Sequence, residues 1–180
     1  VKSLKTERLV LRPWERSDAE FVYDMYSRWD VQRYIGQIPR LMQDTDEART
    51  RIERWRTSFD GVHGIWAAQR VEDSRLVGTI LLKSIPSSGI EPLEPSGDTE
   101  VGWHFHPDFW GQGYASEGAA AALNSGFEAG LERIVAVTNP ENLLSQRVCS
   151  RLGMKAQGLT DQYYNSTCEL FVANRPPELG

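Results

Sequence analysis

The residue types best suited to chemistry are concentrated in one run, Pro107 to Gly118, which contains Trp110, Gly111, Gln112, Gly113, Tyr114, Ala115 and Ser116. An alternating stretch, Glu100 to Phe105, precedes it, and an alanine-rich stretch, Ala115 to Glu132, follows it. Alternation, a glycine-dense turn and then small residues at helical spacing predict strand, tight loop and helix. Glycines at 111 and 113 can adopt backbone angles closed to other residues, so a ligand can approach the main chain. The first amides of a helix have no internal partner and lie at the positive end of its dipole, which suits a phosphate or pyrophosphate. Glycine turns without any ligand are as common. The dinucleotide alternative fits less well. Gly111 and Gly113 are followed by Ser116 where that fingerprint has a third glycine, and Glu132 comes before the next strand instead of at its end.

The second group with chemical potential is the strand leading into the turn. Period two places Asp98, Glu100, Gly102 and His104 on one face, with Val101, Trp103 and Phe105 on the other. His104 and His106 carry imidazoles that titrate in a useful range. With 3 His and two separated cysteines, Cys149 and Cys168, no metal-ligand spacing is present. Two thiols are too few for a disulfide framework, so free thiols are expected.

Several elements must hold these groups. Leu4 to Trp14 alternates and ends at Pro13, which predicts a first strand. Ser17 to Glu20 can open a helix running to about Arg28. Trp29 to Leu41 is a loop or short helix, and Asp44 or Thr45 opens a helix to about Phe59. His63 to Val71 and Leu76 to Ile85 are apolar strands joined by a turn, and Pro86 to Gly97 is a long loop. Past the central strand and helix come a strand at 133–138, a helix at 142–152, and strands near 155–159 and 164–173. The tail from Asn174 is expected to fray.

The chain has 180 residues, 40% hydrophobic, with 6 Trp, enough for one compact α/β domain. Its formal net charge of -5 argues against a broad nucleic-acid footprint and favours a cationic partner. No apolar run reaches membrane-spanning length and the start lacks a signal-peptide core, so the expectation is a cytoplasmic protein with no membrane contact.

Trp110-Gly-Gln-Gly-Tyr-Ala115 resembles the acyl-CoA pyrophosphate loop of the GNAT superfamily of N-acetyltransferases, in the form written by its ribosomal-protein-alanine (Rim-type) branch. Thr6 to Arg12 resembles the first strand of that branch, Glu100 to Trp103 its fourth, and Asn142 to Ser145 with Arg151 to Met154 its last helix. The resemblance runs from about Leu4 to Phe171. It implies a single acyltransferase domain over 1–180 of the α/β (α+β) class. The sheet would be mixed, mostly antiparallel and seven-stranded, splayed between strands four and five and flanked by about four helices.

The resemblance also implies the reaction and its parts. Acetyl-CoA would be the acyl donor, with no metal, and a primary amine the acceptor: a protein N-terminus, a small amine or an amine antibiotic. Backbone groups of Trp103, His104 and Phe105 would hold the pantetheine arm, and amides from Gly111 to Ser116 the pyrophosphate. Glu100 would accept the amine proton. Asn142 would bond the arm or a catalytic water, though capping its helix would explain it alone. Ser145 would protonate or orient the leaving thiolate. Many relatives carry a Tyr seven residues after that Asn as general acid, and this chain has Cys149 there. A helical Cys without an adjacent His or carboxylate reads as a buried hydrophobe more readily than as a nucleophile. Gln146 and Arg147 could approach the nucleotide or simply be solvated. A homodimer is a further expectation, and a protein that binds acyl-CoA without transferring it is the second reading.

Overall fold

A computed structural model describes residues 2–179. In chain order these form β1 (Leu4–Lys5), β2 (Leu9–Pro13), α1 (Ala19–Tyr26), α2 (Trp29–Gln32), α3 (Thr45–Arg56), β3 (Gly64–Arg70), β4 (Leu76–Pro86) and β5 (Pro95–Phe105). They continue through α4 (Tyr114–Glu128), β6 (Arg133–Thr138), α5 (Leu143–Arg151), β7 (Lys155–Tyr163) and β8 (Ser166–Asn174). One sheet takes the order β1-β2-β3-β4-β5-β6-β8-β7. Every neighbouring pair is antiparallel except β5 and β6, which run parallel and meet at one residue pair, Glu100 with Val135. The splay expected between the fourth and fifth strands falls there.

The eighth strand arises within the stretch expected to be one strand. Thr6 Oγ1 accepts the Leu9 amide at 2.9 Å, and the Thr6 amide reaches the Leu9 carbonyl at 2.9 Å. That tight turn folds Leu4 and Lys5 back onto Leu11 and Val10. The fifth helix is the single turn α2, in the segment expected as loop or short helix.

Each face of the sheet has its own core. On one face α1 and α3 bury Trp14, Val22, Met25, Tyr26 and Ile52. On the other, α4 and α5 cover Leu11, Ile80, Val101, Phe105 and Cys149. Gly118 lets α4 seat closely, since a Cβ there would lie 2.8 Å from Ile80. A smaller cluster of Ile85, Val135, Tyr163, Leu170 and Val172 fills the space by the splay. Alternation along β5 follows the expected phase. Val101, Trp103 and Phe105 pack toward α4, whereas Glu100 and His104 turn to the face of α1 and α3, where their partners lie.

Candidate active site

Beyond Glu100 the strands part, so the β6-facing edge of β5 from Val101 to Phe105 has no strand partner among the described residues. An extended arm can add there as a strand would. Trp103 is half-buried against the α4-side core, and Phe105 is buried. The Phe105 carbonyl already accepts the Trp110 indole N–H at 2.7 Å, so the tryptophan braces the end of the strand. His104 lies on the opposite face, so its side chain is turned away from the α4 side of the slot.

The glycine turn has the geometry of a cradle. Gly111 has φ 75° and Gly113 φ 81°, and Gly113 caps α4 from the left-handed region. The helical ladder starts with the Glu117 amide on the Gly113 carbonyl, so the amides of Tyr114, Ala115 and Ser116 precede it. Gly111, Gln112 and Gly113 are exposed, Tyr114 is buried, and Ala115 and Ser116 are half-buried. The Ser116 hydroxyl has no hydrogen-bond partner among the described residues. These features fit a diphosphate seat. Sequence reasoning missed Arg8, which ties the turn down. Its guanidinium donates to the Gln112 carbonyl at 2.8 Å and to Glu117 at 3.2 Å, and lies 4.5 Å above the Tyr114 ring. The tie spans 109 positions from Arg8 to Glu117, beyond any local pattern.

Glu100 is 6% exposed, at the residue where β5 and β6 meet. The Tyr164 hydroxyl donates to its Oε1, and Lys83 Nζ, across the β4–β5 register, stands 3.4 Å away. Burial pushes the carboxyl above its ordinary pKa, and the Lys83 charge and the Tyr164 hydrogen bond offset part of that. The Tyr164 hydroxyl is itself pushed up, first by burial and then by the Glu100 charge. Tyr164 and Asn165 form the two-residue turn between β7 and β8, with φ 59° and 51°. An aromatic residue in the left-handed region costs about 1–2 kcal/mol, and such strain concentrates at functional sites. Neighbouring contacts hold it there. Asn165 Nδ2 donates to the Gly89 carbonyl, the Gly89 amide donates to Asn165 Oδ1, and Gln37 donates to the Asn165 carbonyl, at 2.8–3.1 Å. The sequence reading placed Tyr164 in a strand. The signal available was Asn165, a residue tolerant of left-handed angles between two apolar runs.

His104 Nδ1 is 2.8 Å from the Tyr26 hydroxyl, which donates to Thr79 at 2.9 Å. With the Tyr26 proton on Thr79, Nδ1–H donates to the Tyr26 oxygen and Nε2 is left unprotonated. Burial, with the charges of Lys83 and Arg51 behind it, pushes the His104 pKa down to about 3, so the ring is neutral at physiological pH. His106 is not in this group. It is buried, with Nε2 2.8 Å from Asp24, and it accepts the Asp108 amide at 3.2 Å, which pins the turn that starts at Pro107.

Asn142 Oδ1 caps α5 through the Ser145 amide at 3.2 Å, and its Nδ2 donates to Ser145 Oγ at 3.0 Å. Ser145 Oγ thus accepts from its neighbour and keeps its own proton to donate. Cys149 is fully buried in the α4-side core, and burial pushes its thiol up to about 12. At neutral pH it is a packed, protonated thiol. Gln146 is spent on the Pro140 carbonyl at 3.0 Å, and Arg147 is exposed. Among the described residues, no cluster of three or more His, Cys, Asp or Glu could hold a metal ion, and no helix is long and apolar enough to cross a membrane.

A parallel pair that separates beside a buried carboxylate, with a glycine cradle at the far end of the same strand, is the arrangement of an acyl-CoA N-acyltransferase fold. The acetyltransferase (GNAT) domain family matches residues 8–155, and the chain belongs to that family as an acetyl-CoA-dependent N-acetyltransferase. It is 30% identical over 162 residues to the uncharacterized N-acetyltransferase YoaA of Bacillus subtilis, covering 89% of this chain and 86% of that protein. The crystal structure of a GNAT-family acetyltransferase from Bacillus anthracis superposes with a TM-score of 0.77 at 26% identity, over 97% of this chain and 99% of that one. The coenzyme A complex of RimL, a ribosomal-protein alpha-N-acetyltransferase, also gives 0.77, at 16% identity over 96% and 98% of the two chains, a likeness of fold.

Proposed function

We propose that this enzyme acetylates the terminal amine of a peptide or protein, with Glu100 as the base. The donor arm lies along the free edge of β5, on the side of α4 and α5, with its diphosphate on the amides from Gly111 to Ser116. The acceptor comes from the face of α1 and α3. Its nitrogen attacks the thioester carbonyl, its proton passes to Glu100, and the carbon–sulfur bond breaks as the tetrahedral intermediate collapses. Ser145, held by Asn142, donates a hydrogen bond that orients the departing thiolate, which leaves as the anion and takes its proton from water. Tyr164 and Lys83 keep Glu100 aimed and ionisable. Positioning two bound reactants supplies most of the rate.

The observation that carries this reading is the buried carboxylate of Glu100 at the one pair joining β5 and β6. The peptide acceptor is supported more weakly, by the shared fold with a ribosomal-protein alpha-N-acetyltransferase. The test is thiol release over a panel of peptides and small amines, with coenzyme A binding followed by calorimetry. Glu100→Gln is expected to lose acetylation of every acceptor while coenzyme A affinity holds. Tight coenzyme A binding by the parent protein with no release on any acceptor would support a binding protein instead. Release only on small amines would move the acceptor to that class.

A further inference from the structure

We propose that the acceptor carries negative charge two or three residues beyond its reactive amine, and that Arg51 recognises it. The proposal rests on the placement of the amine at Glu100. Between Glu100 and His104 the same face of β5 holds Gly102, which contributes no side chain. A Cβ there would lie 3.0 Å from Leu81, so the Leu81 side chain packs over Gly102 and the gap is only the low apolar step it leaves between the longer carboxylate and imidazole side chains. Four residues of strand separate the ends of that gap by about 13 Å, the length of three to four residues of an extended peptide.

The charges around this gap do not follow the chain's net charge of -5. At one end Lys83 balances Glu100 and lies 5.5 Å over the Tyr164 ring. At the other, the Arg51 guanidinium lies 5.5 Å over the ring of Tyr26, whose hydroxyl holds His104. Among the described residues Arg51 pairs with the Glu47 carboxylate, 3.8 Å away, which already takes Arg40 at 2.5 Å and the Gln43 amide at 3.0 Å. His104 is neutral. The half-buried end of the gap is therefore left positive, and more so once Glu100 has taken up a proton. Glu91 and Glu94, on the loop whose Gly89 meets Asn165, are exposed and screened by water, whereas Arg51 and Lys83 are partly shielded. An acidic side chain two or three residues past the amine would reach Arg51. A basic one there would meet like charge.

Three tetrapeptide amides test this: Ala-Ala-Asp-Asp, its isosteric partner Ala-Ala-Asn-Asn, and Ala-Ala-Lys-Lys. Both kcat/KM by thiol release and calorimetric binding in the presence of coenzyme A are measured. The Asp peptide is expected to exceed the Asn peptide by roughly tenfold or more, with the Lys peptide lowest. Arg51→Gln should bring the Asp-to-Asn ratio close to one. Arg49→Gln, on the same helix and paired with Asp46, should leave the ratio intact. Equal or better use of the Asn or Lys peptide overturns the proposal, as does a ratio that survives Arg51→Gln. If no peptide or small amine releases thiol, the transferase assignment of the site falls and the binding ratio alone decides. Turnover restricted to small amines, with no peptide bound, also overturns it.

Discussion

Tyr164→Phe removes one oxygen from the site and leaves the ring packed, so it isolates what the hydroxyl does for Glu100. In the folded protein that hydroxyl donates to a carboxylate that is 6% exposed. A hydrogen bond to a charged group is worth about 1.5–3 kcal/mol, and here it favours the ionised form over the acid. Burial already pushes the Glu100 carboxyl up, and Lys83 and Tyr164 are what restrain it. Without the hydroxyl, the fraction of enzyme with an ionised base falls at any pH below the new midpoint. The loss of kcat/KM can reach roughly tenfold to a hundredfold on the acid side. It should be recovered as pH rises, because the base and its position are both still present. The assay is thiol release against pH for parent and variant, with coenzyme A affinity measured alongside. The expected result is an ascending limb displaced to higher pH, a shared plateau and an unchanged coenzyme A Kd. A limb that does not move, or an equal loss at every pH, would refute the claim that Tyr164 acts through the ionisation of Glu100.

Glu100→Gln also tests the burial of the carboxylate through stability. Because the folded-state pKa is raised, the folded protein holds a proton that the unfolded chain has already lost, so stability falls as pH climbs from about 4.3 through the raised value. The variant should therefore melt higher than the parent at pH 7.5, with the gap closing below about pH 4.3; a lower Tm at pH 7.5 would mean that Tyr164 and Lys83 outweigh desolvation. Gly113→Val puts a β-branched residue at φ 81° and a Cβ 3.3 Å from Arg8, which costs about 1–2 kcal/mol of strain and crowds the cradle; calorimetry should show coenzyme A weakened roughly tenfold, and an unchanged Kd in a folded variant would count against the diphosphate seat. Cys149→Ala should keep turnover within about twofold while lowering stability by about 1 kcal/mol, since the thiol is buried and protonated; an inactive, folded variant would return Cys149 to the chemistry.

How much of this site was legible beforehand depended on whether the physics was local. Gly111 and Gly113 announce themselves, because few other residues accept φ near 80° at a helix entrance. Asn142 is readable as a cap, and the phase of β5 separates Glu100 from Val101 without any structure. The surroundings of Glu100 were not readable. Lys83 faces it through a register set across a long, irregular loop, and that register shifts between Ser84 and Pro86. Tyr164 arrives from 64 residues away on a hairpin whose turn begins where the sequence suggests a strand. The extra strand was hidden for a related reason: Thr6 turns the chain inside a stretch that still alternates.

That division has a mechanistic consequence. The cradle is built largely from main-chain amides of one continuous segment, so its sequence signature survives many changes elsewhere. The proposed base is assembled from three segments, with β4 supplying Lys83, β5 Glu100 and the β7–β8 turn Tyr164. The turn itself is held by the loops carrying Gly89 and Gln37. A change in the length of either loop would leave diphosphate binding intact and still detune the carboxylate, through the angle at which Tyr164 reaches it. With the roles proposed for the cradle and Glu100, donor binding and proton transfer are separable in this fold. Variation among related chains in those two loops should alter the pH dependence of transfer and the choice of acceptor before it alters affinity for coenzyme A.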